Sequence, residues 1–220
     1  NEQDVALTRD KLGDIFSGSA VIDHEGTAGF GKDAMVCLYT SSGSRQQQSM
    51  AYSTDHGKTF NVFAGNPIIA NTDKDDFRDP KVFWHADSKQ WIMSLARGWQ
   101  YAIDFYASND LKSWHFLSSF NTPEYVRCNK GQWECPDLIK LGDKWVLIVS
   151  TNPGGPVSGS GTMYFIGDFD GEQFVADPSE YPMWLDYGMD NYAGVTWSNT
   201  GDRKVLIGWM NNWNYAGDVP

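Results

Sequence analysis

Arg78-Asp79-Pro80-Lys81-Val82-Phe83-Trp84 is followed by the turn-forming stretch His85 to Lys89 and then by the apolar run Trp91-Ile92-Met93-Ser94-Leu95-Ala96. Short runs rich in β-branched and aromatic residues, bounded by turn formers, read as strand, hairpin turn, strand. The unit recurs as Glu134-Cys135-Pro136-Asp137-Leu138-Ile139-Lys140, a Gly142-Asp143 turn and the return strand Trp145-Val146-Leu147-Ile148-Val149-Ser150, with Pro136 placed 56 positions after Pro80. Two further copies are Tyr192 to Trp197, turning into Val205 to Trp209, and Phe16 to Ile22, returning as Met35 to Tyr39.

Between these hairpins lies a second motif. It reads Ser53-Thr54-Asp55-His56-Gly57-Lys58-Thr59-Phe60, then Ser108-Asn109-Asp110-Leu111-Lys112-Ser113-Trp114, and in weaker form Gly167 to Phe174 around Asp170. An Asp in such a turn accepts hydrogen bonds from backbone N–H groups two to four residues on, and the aromatic that follows re-enters the sheet. The motif therefore predicts the outer hairpin of each unit, with a structural role.

Each unit then carries four short strands over about 55 to 60 residues, somewhat above the roughly 40 to 50 of common propeller repeats. The prediction is an all-β chain built as a β-propeller, in which four-stranded blades surround a central channel. No helical period interrupts the pattern, and the strongest loop, Gly154 to Gly161, falls inside a unit. Residues 1–220 are accordingly expected to form one partial propeller domain.

Composition narrows the ligand. Twenty-eight acidic against 17 basic residues give a net charge of −11, which disfavours nucleic acid and anionic membrane surfaces as partners. A neutral substrate suits this balance. Aromatic residues, at 15% with ten Trp and ten Tyr, serve strand cores first and also supply sugar-stacking surfaces. Cys37, Cys128 and Cys135 match no zinc spacing, so neither a metal nor a disulfide framework is expected. No run of 18 apolar residues occurs, and Asn1-Glu2-Gln3-Asp4 is too polar to begin a signal peptide, as in a mature or truncated chain.

In a propeller the first strand of each blade lines the channel, so the strand heads are the place to look for chemistry. Those heads are Phe16-Ser17-Gly18, Arg78-Asp79-Pro80, Glu134-Cys135-Pro136 and Asp190-Asn191-Tyr192. Carboxyl groups facing one another across a channel are what glycoside hydrolysis requires: one protonates the leaving oxygen, and another attacks or stabilises positive charge at the anomeric carbon. Asp79 taken alone also fits a simple Asp-Pro turn. Glu134, set between Trp133 and Cys135 at the start of an apolar strand, has no capping or helix-pairing duty to account for its charge.

These elements resemble glycoside hydrolase family 32, the invertases, inulinases and levanases. Phe16-Ser17-Gly18-Ser19, Phe77-Arg78-Asp79-Pro80-Lys81, Trp133-Glu134-Cys135-Pro136-Asp137-Leu138 and Gly208-Trp209-Met210-Asn211-Asn212-Trp213 look like that family's motifs, in its order and spacing. The resemblance implies a five-bladed propeller, about four blades of it present here, and a retaining double displacement on terminal β-fructofuranosides of levan, inulin or sucrose, without a cofactor. It further implies Glu134 as general acid and then base, and Asp79 as stabiliser of the transition state with Arg78 beside it. Phe16, Ser17, Asp190, Trp209 and Trp213 would wall the fructose subsite. An extracellular setting is expected, with a cytoplasmic one the alternative.

One departure matters. The family's nucleophile is an Asp in a Trp-Met-Asn-Asp-Pro-Asn-Gly segment, placed about sixty residues before the Phe-Ser-Gly-Ser element, and that segment is not in this sequence. The 220 residues alone are therefore expected to be inactive, and to stop short of the family's C-terminal β-sandwich. Sialidases are the nearest rival enzymes, because Ser53 to Phe60 looks like their Asp-box, but they need three clamping arginines where only Arg78 stands at a head. Arabinanase- or xylosidase-type five-bladed glycosidases and a non-catalytic carbohydrate-binding propeller fit the same repeat.

Overall fold

The computed structural model describes residues 4–73, 76–121 and 131–218. Four antiparallel sheets follow one another along the chain. The first holds β1 (Asp14–Asp23), β2 (Ala34–Ser42), β3 (Gln46–Ser53) and β4 (Asn61–Val62), and the second β5 (Arg78–His85), β6 (Gln90–Arg97), β7 (Ala102–Ser108) and β8 (His115–Asn121). The third holds β9 (Gln132–Leu141), β10 (Lys144–Asn152), β11 (Gly161–Phe169) and β12 (Phe174–Ala176), with the short β13 (Met183–Trp184) also on β11. The fourth is the hairpin of β14 (Tyr192–Trp197) and β15 (Val205–Trp209). Among the described residues the only helical element is a single 3-10 turn, Gly98–Gln100.

Strand order within each full sheet follows the sequence, and the first strands β1, β5, β9 and β14 contact one another in turn. The sheets are thus blades radiating from a shared axis, with the four hairpins expected from the sequence as their inner halves. The apolar core lies between blades. Val21, Leu38 and Met50 meet Val82 and Met93 on one side of the second blade. Ile92 and Phe105 meet Trp133, Leu147 and Phe165 on its other side. Ile92 and Met93 are neighbours in β6 and point to opposite faces. That is why Trp91 to Ala96, Ser94 apart, is apolar throughout instead of alternating: both faces of the strand are covered.

The Asp motifs form the outer turns. Asp55 Oδ1 accepts the Lys58 and Thr59 N–H groups at 3.0 Å each, and its Oδ2 accepts the Thr59 hydroxyl at 2.7 Å. Asp110 takes the N–H groups of Lys112 and Ser113, and Asp170 those of Glu172 and Gln173. Of the cysteines, Cys37 and Cys135 are free thiols, and Cys128 lies outside the described residues.

At the head of every inner strand the ladder breaks register: between Ile15 and Gly18, between Arg78 and Lys81, opposite Ile148 to Ser150 in β9, and between Tyr192 and Val195. In three of these bulges one residue takes a left-handed conformation: Asp79 at φ 63°, Cys135 at 49° and Ala193 at 52°. Bulges of this kind re-aim side chains at the rim of a sheet. Their N–H groups are not lost. That of Asp79 donates to Thr40 Oγ1 at 3.1 Å, that of Cys135 to Asp79 Oδ2 at 2.9 Å, and that of Ala193 to Ser150 Oγ at 3.1 Å.

Candidate active site

The residue just before each left-handed position turns toward the axis, and these residues are Arg78, Glu134 and Tyr192. Arg78 Nη2 and Nε donate to Glu134 Oε1 at 2.8 and 3.2 Å, while the Tyr192 hydroxyl donates to Glu134 Oε2. Three blades thus meet on one carboxylate. The guanidinium is also held by Asp76 at 2.7 Å and Gln46 at 3.2 Å. Burial works against its charge, but Asp76 and Glu134 outweigh that, so Arg78 stays cationic.

Asp79 lies beside this group, 8% exposed, with Oδ2 accepting the Cys135 N–H and 4.0 Å from Arg78 Nε. Burial pushes its carboxyl above the usual range, against the pull of the Cys135 N–H and the Arg78 charge. Burial likewise drives the Cys135 thiol far up, helped by the Asp79 and Glu134 charges, so it stands as a neutral S–H 3.6 Å from Asp79. The Tyr192 phenol is raised strongly by burial and by the Glu134 charge, which leaves it a donor at any working pH.

These groups form the floor of a cavity of about 500 Å³ lined by Phe16, Ser17, Arg78, Asp79, Glu134, Cys135, Tyr192, Ala193, Trp209 and Trp213. Seven of the eight side chains picked from the sequence meet there. Asp190 does not: it is exposed and stands outside the lining. The bulge explains this correction. Counted from the left-handed residue, the equivalent of Arg78 and Glu134 is Tyr192, two positions later, and the sequence signal was the match of Tyr192-Ala193-Gly194 to Glu134-Cys135-Pro136.

The aromatic wall rests on a residue that sequence reasoning passed over. Asn212 is fully buried; its amide donates to the carbonyls of Ser158, Ser160 and Met189, and its Oδ1 accepts the Asn214 N–H at 2.9 Å. This fixes the segment after β15, so that Trp213 packs on Trp209 with ring centroids 5.1 Å apart. One step further along the same inner strands a second tier repeats the first. Lys81 Nζ donates to Asp137 Oδ2 at 2.9 Å, and the same oxygen accepts the Thr196 N–H and hydroxyl at 2.7 and 2.8 Å.

The arrangement brings together two carboxyl groups of different environment on adjacent blade heads, a guanidinium and an aromatic wall in one concave site. The family model of the Glycosyl hydrolases family 32 N-terminal domain matches residues 1–220, and the chain belongs to that family. It is 47% identical to the levanase of Bacillus subtilis strain 168, over 98% of this chain and 34% of that protein. Among solved structures, the fructofuranosidase from Schwanniomyces occidentalis complexed with fructose superposes with a TM-score of 0.90 at 39% identity, covering 100% of this chain and 45% of that one. The exo-inulinase from Aspergillus awamori gives 0.84 at 37% identity, over 94% and 47%. The four sheets are blades of the five-bladed propeller of these enzymes. The chain spans about a third to a half of the length of the curated relatives it matches.

Proposed function

We propose that these residues form the proton-donating and sugar-holding part of an enzyme that hydrolyses terminal β-fructofuranosidic bonds in levan, inulin or sucrose, with retention of configuration. The observation that carries this reading is the meeting of Asp79 and Glu134, from two blades, around Arg78 in one aromatic-walled cavity. Levanase, exo-inulinase and invertase are the names of its relatives.

In this mechanism Glu134 protonates the glycosidic oxygen as the bond breaks and then takes a proton from the incoming water. Asp79 and Arg78 bind fructosyl hydroxyls, so that Asp79 stabilises the charge developing on the ring. Phe16, Ser17, Trp209 and Trp213 enclose the fructosyl unit. A double displacement also needs a nucleophilic carboxylate. Among the described residues Asp79 and Glu134 are the only carboxylates in the lining, so the reading takes the nucleophile from elsewhere in the full-length protein. Relatives named extracellular support a secreted enzyme acting on polymer outside the cell.

The test is product analysis on sucrose, inulin and levan with the full-length protein. Free fructose should appear first, with the anomeric configuration of the substrate, and Glu134→Gln should lower turnover by about 10²–10⁴-fold, the range of general acid catalysis. A wild-type protein that releases no fructose, or a Glu134→Gln variant of normal rate, would overturn the reading.

A further inference from the structure

The 3-10 turn Gly98–Gln100 joins β6 to β7 at the end of the second blade where Arg78 lies, since Arg78 pairs with Ala96. The turn rests directly on the third blade. A Cβ at Gly98 would stand 3.2 Å from the Trp133 carbonyl oxygen and 3.3 Å from Gln132 Cβ, so a side chain there would crowd the residues that lead into Glu134. Both flanks are braced. Arg97 Nε donates to Asp104 at 3.0 Å with its guanidinium 4.0 Å above the Phe77 ring, and Tyr101, left-handed at φ 52°, sets its ring edge-on to Trp133.

Between these braces Trp99 is 57% exposed. A large indole exposed on a turn anchored at both flanks offers an apolar platform to a ligand. Glu134 is two strand residues beyond Gln132, which places the Trp99 backbone roughly 10 Å from it, within reach of a short oligosaccharide. Phe16, Trp209 and Trp213 belong to the first and fourth blades, whereas Trp99 sits outside that lining, in the second-blade turn that rests on the third blade. The group that Glu134 protonates departs on the Glu134 side.

We infer that Trp99 is a platform for the leaving-group sugars of a fructan chain and a determinant of preference for oligomeric substrates over sucrose. This rests on the fructosidase reading above. Stacking of one sugar face on the indole removes apolar area from water, which amounts to about tenfold in affinity.

In the full-length protein, Trp99→Ala should lower kcat/KM for fructo-oligosaccharides of four or more units about tenfold, through KM, and leave sucrose hydrolysis unchanged. Trp99→Phe should restore most of the loss. An equal loss on sucrose and oligosaccharide, or no loss on either, would overturn the role of Trp99 while leaving the fructosidase reading intact. Failure of the wild-type protein to cleave any fructoside would sink both together.

Discussion

Arg78 and Glu134 occupy the same position in two successive blades, 56 residues apart, and the guanidinium of one donates to the carboxylate of the other at 2.8 Å. The same offset joins Asp79 to the Cys135 N–H and Lys81 to Asp137. Successive copies of one unit thus bond to each other at equivalent positions, the fourth blade adding Tyr192 to the upper tier and Thr196 to the lower. A repeat that differs in charge from copy to copy produces a site at the axis, where identical copies would have set like groups against each other.

Asp79→Asn is expected to make the chain more stable and the enzyme inactive. The folded-state pKa of Asp79 is raised, so the native protein holds this proton more tightly than the unfolded chain and loses stability as pH rises from about 3.9 through the folded value. At neutral pH the charged carboxylate is therefore a net cost. Asn keeps an oxygen for the Cys135 N–H and tolerates the left-handed backbone. Thermal melts at pH 7 should show a rise in Tm of about 2–4 °C, the shift that roughly 1 kcal/mol produces in a chain of this size. A lower Tm would show that the Arg78 attraction outweighs burial.

Tyr192→Phe removes one hydroxyl and no volume. What is lost is the donor to Glu134 Oε2, and hydrogen bonds to charged groups contribute about 1.5–3 kcal/mol. Turnover in the full-length protein should fall about 10- to 100-fold with the fold unchanged by circular dichroism. A variant with the wild-type rate would mean that Arg78 alone positions Glu134.

The lower tier sets the spacing of the second, third and fourth blades. Asp137 is fully buried, its Oδ2 is shared by Lys81 and Thr196, and its Oδ1 has no partner among the described residues. Asp137→Asn can keep the bonded oxygen, placing the amide nitrogen at the unpartnered position, so the change removes the charge and leaves the amide N–H donors without an acceptor among the described residues. The Lys81 ammonium then lacks its counter-ion, at an expected cost of about 3 kcal/mol in urea unfolding. Adding Lys81→Met should recover part of that loss. A double variant no better than Asp137→Asn would show that the pair acts through its hydrogen bonds and not its charges.

How much of this was legible in the sequence depends on the residue. The inner hairpins could be read because their strands carry long apolar runs and end in clear turns, and the outer turns because Asp55 and Asp110 carry their own hydrogen-bonding pattern. Arg78, Asp79 and Glu134 could be read because two adjacent copies share the following proline. Tyr192 was passed over because its copy has Gly194 where the second and third have proline, so the head was set two residues early, at Asp190. Neither the left-handed turn at Ala193 nor the burial of Asn212 leaves a local mark. Both follow from packing against blades far away in sequence.

The outer turns make stability depend on acid pH. The Thr59 hydroxyl and N–H, with Ser53 and Lys58, hold the Asp55 carboxyl well below the usual carboxylate range. At Asp110 burial pushes upward, but the Ser113 and Lys112 N–H groups prevail, and at Asp170 the N–H groups of Gln173 and Glu172 do the same. A carboxyl whose folded pKa is depressed contributes stability above its unfolded pKa, near 3.9, and that contribution fades as pH falls through the folded value. Asp55→Asn should therefore lower Tm at pH 6, and the gap to wild type should close as the melt is repeated from pH 4 downward. A gap that stays constant across that range would mean that Asp55 holds its turn by hydrogen-bond geometry alone, with no part played by its charge.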